Sequence, residues 1–151
     1  MKFLSTIFVA ALVATGALTF GYVSEGQAQD AAAAWKARTD AMKGAGGAAG
    51  RINKAEDAKA TVDDAKLIQA NVGKLGDLFP AGSITPESRA KPEIWTNMDD
   101  FKAKLAATQK EAATLVALSE KGDLAAIKAQ VPVTINACNA CHNTYRGPAK
   151  Q

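Results

Sequence analysis

Cys138-Asn139-Ala140-Cys141-His142, near the C-terminus of a 151-residue chain, contains both cysteines and the only histidine in the sequence. On a helix, thiols at i and i+3 and an imidazole at i+4 share one face. Such a face offers two thiols to the vinyl groups of one porphyrin and an imidazole to its iron. This spacing is that of a c-type haem attachment site. A structural zinc site needs four Cys or His ligands, and only three exist here. A thioredoxin-like dithiol belongs beside a βαβ pattern that the sequence lacks. A disulfide would leave the histidine without a role. The motif therefore predicts one haem c, bound covalently through Cys138 and Cys141, with His142 as a ligand to the iron.

The N-terminus agrees on location. Lys2 precedes a nearly unbroken apolar run over residues 3–20, then a polar stretch over 24–28. Gly26 and Ala28 occupy the −3 and −1 positions for cleavage before Gln29, the layout of a secretory signal peptide. The run is also about long enough to span a bilayer, so an uncleaved anchor is the alternative. Residues 1–28 are expected to be removed and 29–151 to form the exported domain, in the periplasm of a bacterium. That leaves about 123 residues, one domain of ordinary size. The segment removes one lysine and one glutamate, so the formal charge stays at +3. Without a basic tail or interleaved aromatics, nucleic-acid binding has no support.

The remainder reads as four amphipathic helices. The first spans about 30–50, with Trp35, Arg38, Met42, Ala45 and Ala49 on one stripe. The second spans 61–79, with Val62, Ala65, Ile68, Val72, Leu75 and Phe79. The third, 96–121, repeats the spacing through Met98, Phe101, Leu105, Ala112 and Leu115. The fourth begins after Gly122 with Asp123 as its cap and carries Leu124, Ile127, Val131, Ile135, Cys138, His142 and Tyr145. Spacings of three and four are those of helices sharing a seam. Gly122 leaves so short a link that the third and fourth helices should be antiparallel. Pro80, Gly82, Pro86 and Pro92 mark a long connection. Two features argue against continuous helices. Pro132 predicts a break near 129–131. Gly44, Gly46, Gly47 and Gly50 each cost about 1 kcal/mol inside a helix and should weaken the first or end it early. The predicted fold is all-α, an antiparallel four-helix bundle with one long crossover and a cofactor in its core.

Three stretches resemble the class II cytochromes c, the family of cytochrome c′ and its low-spin, methionine-ligated relatives. They are residues 38–44 (RTDAMKG), 90–95 (AKPEIW) and 138–146 (CNACHNTYR). The resemblance covers essentially the whole exported domain, and it rests most on a haem motif close to the C-terminus. In the low-spin branch, a methionine in the first helix binds the iron, which implies that role for Met42. In cytochrome c′, the same position usually holds a bulky residue, sometimes methionine, that crowds the iron without bonding it. An arginine at the position of Arg38 often meets a haem propionate, and a solvated surface arginine is the alternative. Arg146 matches the basic residue near the proximal histidine. Family members often pair as homodimers through their first two helices, although the glycine-rich first helix weakens that inference.

With no second histidine, the sixth iron position falls to a methionine or stays open. Met42 is on the inward stripe, whereas Met98 reads as core packing, as do Trp35 and Trp95. The bland reading of Met42 is also core filling. A thioether ligand raises the potential and closes the iron to gases. The expected function is single-electron transfer among exported or membrane-bound redox proteins, without catalysis. The alternative is a five-coordinate haem that binds nitric oxide or carbon monoxide. A peroxidase would need a distal acid–base pair, which the sequence lacks.

Overall fold

The computed structural model describes residues 25–149, so most of the expected signal segment lies outside the described residues. Five helices run in order: α1 (Glu25–Lys54), α2 (Val62–Lys74), α3 (Glu93–Thr96), α4 (Met98–Lys121) and α5 (Leu124–Tyr145). The four longer ones form an antiparallel bundle. α1 packs on α2, α2 on α4 and α4 on α5, and α1 meets α5 to close it. Among the described residues, extended pairing is confined to one antiparallel bridge between Ala90 and Arg146.

Local chemistry sets the tight turn between α4 and α5. Gly122 adopts φ +79°, and its N–H reaches the carbonyls of Leu118 and Ser119. A left-handed glycine ends helices in this way, because no Cβ obstructs it. Asp123 then caps α5, its Oδ1 accepting from the Ala126 N–H at 3.0 Å.

Two expectations are corrected by packing. α5 runs unbroken through Pro132. The proline removes the N–H that would bond the Lys128 carbonyl, but Lys128 and Pro132 both lie on the exposed face, where water can replace that bond. Ile127 and Val131, completely buried, and Thr134, nearly so, hold the helix on both sides of the proline. Likewise α1 does not end in the glycine cluster but continues to Lys54. Ala48 and Ile52, both fully buried, tie its C-terminal half to the core. At Gly44 the helices come close: a Cβ there would lie 2.7 Å from the Asn71 side-chain amide of α2. The second helix also departs in detail, its α-helical part ending at Lys74 and tightening to a 3₁₀ turn over Leu75–Leu78.

The interior divides along the bundle axis. One end is aliphatic, built from Ala48, Ile52, Ala65, Ile68, Leu115, Ile127 and neighbours. The other, where α1 starts and α5 finishes, holds Phe79, Ile94, Phe101, Leu105 and Tyr145. The crossover from α2 to α4 covers this second end, and Trp95 ties it down by donating its indole N–H to the Phe79 carbonyl at 3.1 Å.

Candidate functional site

The aromatic end is hollow. A cavity of about 560 Å³ opens among the four long helices there. Arg38 and Met42 reach it from α1, and Cys138, Cys141 and His142 from α5. All five residues singled out in the sequence therefore line one space. This follows from the antiparallel order, which places the start of α1 beside the finish of α5.

Because α5 is a regular helix through the motif, the two thiols and the imidazole fall on its inner face. The thiols are not joined to each other. Burial pushes both thiol pKa values up, Cys141 to about 11. A thiol held protonated is a poor partner for disulfide exchange, so the pair is not poised for redox work of its own. Burial, then Arg146 and Arg89, lowers the His142 pKa. At neutral pH the ring is uncharged and has a lone pair available for a metal.

Met42 is half-buried and packs with Cys141 against the aromatic cluster. Three aromatics build the wall beyond it. Phe79 and Phe101 meet edge to face at 4.9 Å, and Phe101 and Tyr145 at 5.3 Å. The Tyr145 hydroxyl donates to Asp100 Oδ2 at 2.6 Å, anchoring the end of α5 to α4. That bond, ahead of burial, pushes the tyrosine up to about 12.

Arg38 is only 3% exposed. Its guanidinium donates to the Leu78 carbonyl, to the carbonyl and hydroxyl of Ser83 and to the Ser88 hydroxyl, at 2.7–3.2 Å. It also lies 4.9 Å over the Phe79 ring. All of these partners are neutral, and burial pulls its pKa below the ordinary value. A buried cation without a carboxylate is costly unless an anion comes to it.

The fit to a c-type haem can be tested on these features. The cavity is lined mainly by apolar side chains and its volume lies within the range of about 300–1,000 Å³ usual for cofactor sites. Two thiols and a neutral imidazole share one wall, a thioether reaches in from the neighbouring helix, and a buried guanidinium supplies positive charge. Gly46 also lines the cavity, and a Cβ there would meet nothing within 4 Å. The residues present fit the group.

Some contributors were not visible in the sequence. Ser83 and Ser88 gave no signal, because their partner lies 45 and 50 residues away. Arg89 was equally silent. Its Nε and Nη2 both donate to the Gly147 carbonyl, at 2.9 and 2.7 Å, beside the Ala90–Arg146 bridge. Phe79 and Phe101 were legible as core positions through their helical spacing, although not as a wall.

Comparisons with known proteins fit this geometry. A family model described as Cytochrome C′ matches residues 24–146. Cytochrome c-556 of Agrobacterium fabrum is 37% identical over 138 residues, covering 87% of this chain and 92% of the relative. A second cytochrome c-556, from Agrobacterium tumefaciens, is 37% identical over 115 residues, covering 72% and 93%. Among solved structures, cytochrome c prime from Shewanella frigidimarina superposes with a TM-score of 0.72 at 27% identity, covering 78% of this chain and 97% of that one. The nitric oxide complex of a cytochrome c prime mutant from Alcaligenes xylosoxidans gives 0.71 at 27% identity, covering 78% and 96%.

Proposed function

This chain belongs to the cytochrome c′ family, and within it we propose that the protein carries single electrons through a low-spin haem held between His142 and Met42. Its cofactor is a haem c, with two cysteines near the C-terminus present for covalent attachment. A haem so held supplies one-electron exchange at its iron. The chain does the rest. Cys138 and Cys141 anchor the group, His142 offers an imidazole and Met42 a thioether. Arg38 sets its positive charge towards a propionate, and the Phe79–Phe101–Tyr145 wall keeps water out. Tuning of the potential falls to the ligand pair and to this dry surround.

The observation that carries the reading is the meeting of Met42 from α1 and His142 from α5 on one largely apolar cavity. Export directed by residues 1–28, with cleavage before Gln29, belongs to the same proposal. The partners are then exported or membrane-bound redox proteins, met through small, weak interfaces. No chemical transformation of a substrate is assigned.

A second reading is favoured by one observation, that a structural relative is a nitric oxide complex. In it the iron is five-coordinate and Met42 only fills space. Adding carbon monoxide to the reduced protein separates the two. A His142–Met42 protein keeps its spectrum unchanged, while Met42→Ala binds the gas and shows a lower potential. A wild-type spectrum that shifts with carbon monoxide replaces electron transfer with gas binding.

A further inference from the structure

A second depression lies along the flank of α5 next to the haem motif, with room for about 390 Å³. Arg89, Asn139, His142, Asn143 and Arg146 line it, and none of its described lining residues is acidic. Neither arginine forms a salt bridge among the described residues. Two like charges facing one space repel, and such an arrangement persists where an anion offsets it.

The pairing is built by the fold. The Ala90–Arg146 bridge joins the crossover to the end of α5, and the Gly147 N–H donates to the Arg89 carbonyl at 2.7 Å. Arg89 in turn donates Nε and Nη2 to the Gly147 carbonyl. These bonds fix the guanidinium, and among the described residues Nη1 has no hydrogen-bond acceptor. Both guanidiniums share this depression with the His142 ring. A metal-bound histidine commonly gives its second N–H to a carboxylate, carbonyl or water. Among the described residues, no carboxylate lines this depression.

We propose that Arg89 and Arg146, with the carboxamides of Asn139 and Asn143, form a binding site for a small oxoanion or carboxylate beside His142, through which the anion lowers the reduction potential. The proposal rests on His142 as an axial ligand and is independent of Met42. An anion seated here is held by charge-assisted bonds from two guanidiniums. Its negative charge favours the oxidised iron.

The test uses the haem-loaded protein at low ionic strength. Phosphate and acetate are titrated separately, binding is read by calorimetry, and the midpoint potential is recorded at matched ionic strength. The expected result is saturable binding of one phosphate, with acetate competing for it, and a potential that falls with the same midpoint concentration. Arg89→Gln and Arg146→Gln should each weaken binding about tenfold, the loss of a hydrogen bond to a charged group. Arg146→Gln leaves the Arg89–Gly147 clasp intact, so it keeps the test decisive if Arg89→Gln loosens the C-terminus. No saturable binding, or binding indifferent to both substitutions, overturns the proposal. If the optical spectrum meanwhile stays that of a histidine-ligated haem, the His142 ligation on which the proposal rests stands and only the anion site fails.

Discussion

The two ends of the bundle are made from the same four helices and differ in what completes them. At the aliphatic end, Ala48, Ala65, Ala112, Leu115, Ile127 and Val131 bury themselves almost completely against one another. At the aromatic end the same stripes continue, yet they enclose a cavity of about 560 Å³ with thiols, an imidazole, a thioether and a guanidinium at its border. One end is finished by its own side chains, and the other by a group that the chain must acquire. The difference explains how α1 can tolerate four glycines and α5 a proline. The closed end holds α1 and α5 in register, and so the open end need not stabilise itself.

The largest effect should come from removing the anchors of the open end. Cys138→Ser combined with Cys141→Ser should abolish covalent haem altogether, read as loss of haem stain on a denaturing gel. Amide exchange should then quicken in the last turns of α5 and in the crossover, while the aliphatic end keeps its protection. Uniform acceleration at both ends would break the comparison.

Leu115→Ala strikes the closed end. It should cost about 2–5 kcal/mol in chemical denaturation of the haem-loaded protein, because a fully buried leucine leaves a void. The visible spectrum should not change. A spectral change would mean that the two ends are not separable.

Arg38→Met should rank next, costing about 2–3 kcal/mol, since the buried Ser83 carbonyl and the part-buried Leu78 carbonyl lose a charged donor. The loss should be local. Limited proteolysis should cut the crossover, residues 79–92, in this variant and not in Leu115→Ala.

The smallest effect concerns acid. Bonds from Tyr145 first, then Lys104, hold the Asp100 carboxyl below its ordinary value of 3.8. A depressed carboxylate contributes stability that is full above that value and is lost as pH falls through the folded pKa. The stability gap between wild type and Tyr145→Phe should therefore be constant near neutrality and close as pH drops below 3.8. A gap that ignores pH would assign it to packing alone.

Much of this was legible in the sequence because it is written locally. The motif at 138–142, the glycine stop at 122, the cap at 123 and the spacing of apolar residues each depend on neighbours a few positions away. What escaped depends on distance. The spacing marked Ile127 and Val131 as inward positions, but nothing near Pro132 announces that Thr134 will be buried beyond it and carry the helix through. Arg38 stood out by resemblance, but its serine acceptors lie across the crossover and carry no pattern. Arg89 matters only once the chain end folds back to pair Ala90 with Arg146.

The central claim is that the open end offers a ligand from each of two neighbouring helices. Its most direct measurement is the optical spectrum of the oxidised, exported protein, with and without Met42→Ala. A low-spin spectrum with a sulfur-to-iron charge-transfer band, lost in the variant while the haem stays attached, is the predicted result. A high-spin spectrum in the wild type, unaltered by the substitution, would contradict it.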